Sequence, residues 1–171
     1  MSSLFDLFRR IVRAVRTTPR PGGTAGPARA SSTRTTTAYP GDFSGMPTVR
    51  YAPSRNGDPD PGEVVWTWVP FEEDHSQGKD RPVLLIGHDG RWLLGLMLTS
   101  KDHDQDAAQE ARWGRYWMDI GAGPWDSRGR PSEVRLDRIL RVDPATVRRE
   151  GAILDRATFD RVAGSLKEHH R

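Results

Sequence analysis

The apolar positions of the chain follow three kinds of pattern. Leu4, Phe8, Ile11 and Val15 recur at helical spacing, Leu7 and Val12 flank them, and arginines lie mostly opposite. This predicts a short basic amphipathic helix within residues 1–16, with Ser2 or Ser3 as N-cap. Residues 17–56 are mostly Thr, Pro, Gly, Ala, Ser and Arg, and residues 17–37 contain no large apolar side chain. Such a segment cannot offset its ordering entropy, so a disordered linker is expected over 17–56. From Gly57 onward short apolar runs alternate with turn residues.

Those runs predict the folded part, residues 57–171. Glu63–Val69, β-branched and aromatic, reads as a strand, and Pro70–Asp80 as a polar loop. Arg81–His88 is a second, nearly continuous apolar strand, Asp89-Gly90 a two-residue hairpin turn, and Arg91–Thr99 the returning strand. Residues 101–113 predict a loop with a short helix, Tyr116–Ile120 a strand, 121–131 turns, and 132–142 one or two strands. A short apolar patch, Gly151–Leu154, precedes a helix that starts at Asp155 as N-cap and buries Phe159, Val162, Ala163 and Leu166. Five or more short strands and one late helix make a mainly β fold with helices (α+β): a small, strongly curved sheet or partly open barrel, preceded by a basic arm. No internal repeat is visible.

Charge sharpens this division. The 171 residues carry a formal net charge of +3. Residues 1–56 hold nine arginines against two acids, a net of +7, and residues 57–171 hold 17 basic against 21 acidic side chains, a net of −4. The basic character belongs to the arm, which excludes a basic nucleic-acid coat as a description of the whole chain. The absence of cysteine excludes a disulfide, a thiolate zinc site and a cysteine nucleophile. No stretch reaches the ~18 apolar residues of a membrane span. Arg9, Arg10, Arg13 and Arg16 interrupt what would be the core of a secretory signal, so the cytoplasm is the expected location. Residues 4–15 stay open to two readings: weak contact with a membrane surface or partner, or a nascent helix on a flexible tail. Isolated helices need roughly 12–15 residues to hold.

The chemistry on offer is sparse. There is no glycine-rich phosphate loop and no Gly-x-Ser-x-Gly elbow. Asp102, His103, Asp104 and Asp106 lie in one polar run without a metal-ligand spacing and read as a solvated loop; His169 and His170 read as a frayed terminus without a role. What remains lies at strand edges: His75, Ser76, Gln77 and Lys79 in the loop before the second strand, Arg81 opening that strand, Thr99 and Ser100 closing the third, and Arg135 and Asp137 two apart, on one face. Arginines hold phosphate oxygens, and His and Asp move protons. An ordinary salt bridge at Arg81 and a solvated strand face at Arg135/Asp137 fit the same spacing.

Residues 61–171 resemble the PemK/MazF (Kid) toxins of type II toxin–antitoxin systems. The resemblance rests on the ordered string Pro61-Gly-Glu-Val-Val-Trp66, the loop His75-Ser-Gln-Gly-Lys-Asp-Arg-Pro82, the strand Val83–Ile86 and Leu98-Thr-Ser100. Val134-Arg-Leu-Asp137, Leu140-Arg-Val-Asp143 and a C-terminal helix follow. It implies an SH3-like small β-barrel, a homodimer, and a toxin that is a metal-independent, sequence-specific endoribonuclease on single-stranded mRNA. It also implies a cognate antitoxin, operator DNA bound by the toxin–antitoxin complex, and no cofactor or metal.

Position by position, the resemblance implies catalytic roles for Arg81, His75, Thr99, Arg135 and Asp137. Gln77, Lys79 and Ser100 are expected to bind substrate. Ser76 stands where many members have Glu; Glu72, Glu73 or Asp74 could substitute for that carboxylate from one turn back. In metal-free cleavage the 2′-hydroxyl attacks phosphorus, with Asp137 the candidate base and His75 the better acid, since arginine stays protonated. Arg81 and Arg135 would clamp the phosphate, while Thr99 and Ser100 would hydrogen-bond phosphate or ribose. Trp66, Trp68 and Trp92 fit either base stacking or core packing. The alternative is a non-catalytic module on the same barrel that binds nucleic acid or protein, possibly as a transcriptional regulator.

Overall fold

Three strands, β1 (Glu63–Pro70), β2 (Gly78–Asp89) and β3 (Trp92–Thr99), form an antiparallel meander. Their Val, Leu, Ile and Trp content favours a pleated, half-buried surface. The computed structural model describes residues 38–101 and 107–170. The expected helix at 4–15, the linker up to residue 37 and the acidic run Asp102–Asp106 lie outside them. The chain continues through α1 (Ala107–Arg112), β4 (Trp117–Gly121), β5 (Ser132–Arg135), β6 (Leu140–Val142), a 3₁₀ turn at Pro144–Thr146, β7 (Arg149–Ile153) and α2 (Arg156–His169). No helix among the described residues is long and apolar enough to cross a membrane.

The strands make one sheet in the order β4-β5-β3-β2-β1-β7, with β6 also paired to β3. β3 is its pivot. One edge runs along β2; the other is shared between β6 at Leu93–Gly95 and β5 at Leu98–Thr99. Register shifts at Val64/Trp66, Leu85/Gly87 and Asp119/Gly121 add bulges, which bend strands and increase their twist. The result is a curled antiparallel half-barrel with a C-terminal helix, the expected architecture. Two details differ. Asp89 pairs with Trp92, so the turn is Gly90-Arg91, one residue later than expected, and Gly90 takes φ +57°. Polar Arg149 and Glu150 begin β7, which extends the apolar patch expected at 151–154 into a strand on β1.

The continuous apolar runs of β1 and β2 are explained by burial on both faces. Val64, Leu84 and Ile86 join Leu94, Leu96, Val134 and the helix residues Phe159, Val162 and Leu166 in one cluster. Val65, Val83 and Leu85 join Leu93, Leu140 and Val142 in another. Alternate side chains thus point into different cores. α2 is capped by Asp155, whose carboxylate accepts from the Thr158 N–H at 2.9 Å, as its sequence predicts.

The linker expected over 17–56 requires correction in its second half. Residues 38–56 form a strap fixed to the barrel. Phe43 bridges Ile139, the Arg50 N–H donates to the Ile86 carbonyl at 2.8 Å, and the Ala52 N–H to the Pro61 carbonyl at 2.9 Å. Tyr51 packs edge-on against Phe159 with centroids 5.0 Å apart, and its hydroxyl donates to the Leu154 carbonyl. Phe43, Val49 and Tyr51 all pack against the larger core cluster. Glycines admit the strap: a Cβ on Gly87 would sit 2.5 Å from the Thr48 carbonyl, and one on Gly62 2.9 Å from the Tyr51 ring. Average composition hides this strap, because a few large side chains anchor otherwise polar backbone.

Candidate active site

The loop Phe71–Gln77 joins β1 to β2 and closes on itself. The Phe71 N–H donates to the Gln77 carbonyl at 2.8 Å. The Asp74 carboxylate accepts from the Ser76 N–H (2.9 Å), the Ser76 hydroxyl (2.6 Å) and the Gln77 amide (2.8 Å). Those bonds from Ser76 and then Gln77 hold Asp74 below the usual carboxylate range. Ser76 and Gln77 therefore shape the loop, and the amide of Gln77, expected to meet substrate, donates to Asp74. Gly78 ends the loop where a Cβ would lie 2.4 Å from the Val69 carbonyl.

Beside this loop lies a groove of about 280 Å³ lined by residues that include Glu72, Glu73, Arg81, Lys101, Arg115, Trp117, Arg135 and Arg138. At its wall Arg135 is 6% exposed. Its guanidinium holds Asp137 bidentately, with Nε 3.0–3.1 Å from both carboxylate oxygens and Nη2 2.6 Å from Oδ2. Its Nη1 reaches Glu72 Oε2 at 3.0 Å. Burial pulls the Arg135 guanidinium toward neutrality, but the bonds and charges of Asp137 and Glu72 outweigh that and raise its affinity for the proton. Asp137 Oδ1 also accepts the Tyr116 N–H at 2.9 Å. Both Asp137 oxygens are thus engaged, whereas the Glu72 side chain is half exposed and its carboxylate accepts from Arg135 alone among the described residues.

A second network anchors the strap beneath the site. Arg138, itself buried, donates to Asp42 (2.7 and 3.1 Å) and to the Pro70 carbonyl (2.9 Å). Tyr39 donates a short hydrogen bond to Asp42 and packs edge-on against His75 with centroids 5.0 Å apart. Burial, then the Asp42 bond, raises the Tyr39 pKa far above that of an ordinary phenol. Burial alone would raise Asp42, but the bonds from Arg138 and Tyr39 and the Arg138 charge leave it lowered.

The sequence-predicted residues therefore divide. Arg81 and Arg135 share the groove, and Asp137 holds Arg135 from behind. Thr99 and Ser100 line an adjacent hollow of about 140 Å³ that also borders Arg81. The Thr99 hydroxyl oxygen accepts the Lys101 N–H at 3.2 Å. His75 is exposed against Tyr39, and Lys79 sits 5.8 Å from the Phe71 ring centroid; neither lines the groove or that hollow. Trp66 donates to the Trp125 carbonyl and Trp92 stacks beneath Arg91, whereas Trp117 faces the groove. The expected set lacks Lys101, Arg115 and Trp117, and holds Glu72 only as one of three substitutes for the absent loop carboxylate. His169 and His170 are not frayed: His169 stacks on Tyr116 at 4.4 Å, and His170 Nδ1 lies 3.2 Å from the Asp137 carbonyl.

Comparison with known proteins gives a family. Residues 60–170 match the model for PemK-like, MazF-like toxins of type II toxin–antitoxin systems. The crystal structure of MazE-MazF (Form-II) from Deinococcus radiodurans is similar at 18% sequence identity and a TM-score of 0.46, covering 66% of this chain and 96% of that one. No curated protein matches.

Proposed function

The chain belongs to the PemK-like, MazF-like toxin family of type II toxin–antitoxin systems, and from that premise we propose that it is an endoribonuclease acting on single-stranded RNA. The observation that carries the proposal is the groove in which Arg81 and Arg135 converge with Glu72, backed by Asp137. A preorganised guanidinium pair suits the dianionic phosphorane of cleavage by the 2′-hydroxyl; losing one such donor costs ~10²–10³ in rate.

In this scheme Glu72 takes the 2′-hydroxyl proton. Its side chain is half exposed in the groove, while Asp137 already accepts from Arg135 and Tyr116. The base thus shifts from Asp137 to Glu72, and Asp137 orients Arg135. The 2′-oxygen attacks phosphorus, the bond to the 5′-oxygen breaks, and that oxygen takes a proton from water in the open groove, since His75 lines neither the groove nor the adjacent hollow. The products are a 2′,3′-cyclic phosphate and a 5′-hydroxyl. Thr99 and Ser100 receive the neighbouring nucleotide beyond Arg81, and Trp117 supplies a face for a base. As a toxin component it would meet a protein antitoxin, form a homodimer, bind operator DNA with that antitoxin and work in the cytoplasm.

The test is cleavage of single-stranded RNA in EDTA by the full chain, with Arg135→Ala and Asp137→Ala beside it. An inert wild type, or variants that cleave equally well, would sink the proposal. A second reading, binding without cleavage on the same barrel, draws support from Ser76, which stands where the resemblance places Glu and is committed to Asp74. RNA retained on the wild type with intact ends would establish it.

A further inference from the structure

We propose that the C-terminal pair His169–His170 positions Asp137, and through it Arg135, for catalysis; this rests on the endoribonuclease reading above. The pair closes α2, where the His170 N–H caps the helix on the Leu166 carbonyl at 3.0 Å. The His170 ring is turned inward, with Nδ1 3.2 Å from the Asp137 carbonyl. A carbonyl only accepts, so Nδ1 carries the hydrogen. Nε2 is then left buried, with no hydrogen-bond partner among the described residues. Buried nitrogens without partners are rare and ask for an explanation. Here the explanation is the contact made by the other nitrogen.

The preceding residue acts on the same turn. The His169 ring stacks on Tyr116 at 4.4 Å and 21°. The Tyr116 N–H donates to Asp137 Oδ1 at 2.9 Å, and its carbonyl accepts the Leu136 N–H at 2.8 Å. Asp137 is therefore fixed at its carboxylate by Arg135 and Tyr116, and at its backbone by a residue 33 positions away. β5 ends at Arg135, so no strand pairing holds Asp137. The helix end supplies that restraint. Small displacements of a catalytic clamp are costly, with about 1 Å worth on the order of 100-fold in rate. His169 and His170 are positioning residues: they touch neither substrate nor the reacting atoms.

The experiment uses the full chain with His170→Ala, His170→Asn, His169→Ala and His169→Phe. Asparagine keeps a donor near the Nδ1 position and removes the orphaned nitrogen; phenylalanine keeps the stacking ring. His170→Ala and His169→Ala should lower kcat by roughly 10- to 100-fold, with KM little changed, well below each variant's Tm. His170→Asn and His169→Phe should restore most of kcat. An unchanged kcat in the alanine variants, or a loss that neither conservative variant rescues, overturns the proposal. A second readout needs no cleavage. The Nε–H resonance of Arg135 should shift and exchange faster with water in His170→Ala; an unmoved resonance overturns the proposal even if the chain cleaves nothing. An inert wild type with a moved resonance leaves the positioning intact and removes only the endoribonuclease reading.

Discussion

Replacing Asp42 with alanine measures how far the strap 38–56 belongs to the fold. Asp42 accepts two bonds from Arg138 and one from Tyr39. Without it Arg138, whose side chain is only 5% exposed, keeps the Pro70 carbonyl alone. Removing one partner of a fully buried ion pair costs about 3–5 kcal/mol. The Asp42 side chain is 28% exposed, so water partly reaches the vacated site. A loss of about 2–3 kcal/mol follows. At about 2.1 cal/mol/K per residue over a folded part of roughly 130 residues, Tm falls by about 7–11 °C. The assay is calorimetry and urea unfolding of the full chain between pH 7 and pH 3. Asp42 is a depressed carboxylate. Its contribution is full above the unfolded value near 3.9 and is lost as pH falls through the folded value. The gap between wild type and variant should therefore stay constant from about pH 7 to 5 and close below about pH 4. A loss under ~0.5 kcal/mol at pH 7, or a gap that persists undiminished to pH 3, would refute the reasoning.

Further outcomes are expected. Arg135→Lys removes the fork that holds Asp137 and Glu72 together, so cleavage should fall by at least ~10²; assays with single-stranded RNA check it. Arg81→Ala should weaken RNA binding and reduce the slope of log K against log salt by about one, read by anisotropy across a salt series. Gly62→Ala should destabilise by about 1–3 kcal/mol, because φ is +104° and a Cβ meets the Tyr51 ring; urea melts decide this. Glu72→Gln should lower kcat ~10²-fold or more while tightening RNA binding, with little change in Tm.

The elements were legible where side-chain type and spacing agree. β1–β3 are apolar because both faces are buried, and α2 repeats at Phe159, Val162 and Leu166 under an Asp155 cap. The strap escaped because Tyr39, Phe43 and Tyr51 follow neither period, and each is fixed by a partner nearly 100 residues away or more, or by a loop. The return of large side chains after the Thr35–Thr37 run was the available signal. The candidate site was half legible. Arg-x-Asp spacing brought Arg135 and Asp137 together, but nothing local shows that Glu72 folds back onto Arg135, 63 positions on. His170 escaped for the same reason: a position near a terminus suggests fraying, and only a contact across 33 positions removes it.

The charge split acquires a physical meaning in the groove. Residues 57–171 are net negative, yet Arg81, Lys101, Arg115, Arg135 and Arg138 line one depression. Three of the five are engaged: Arg135 by Asp137 and Glu72, Arg138 by Asp42, and Arg115 by Glu110 at 3.6 Å. Arg81 and Lys101 make no ion pair with the described residues. On the endoribonuclease proposal, diffuse attraction of RNA by these residues would be weak, and phosphate would be recognised chiefly between Arg81 and Arg135. There it would compete with Glu72 for Nη1 of Arg135. Displacement would free the Glu72 carboxylate beside the bound phosphate, which is where a base for the 2′-hydroxyl is needed. Competition and catalysis by one carboxylate would make its neutral isostere bind more tightly and turn over more slowly. A non-cleavable 2′-deoxy substrate isolates the binding half, and weaker binding by Glu72→Gln would break the link between the two.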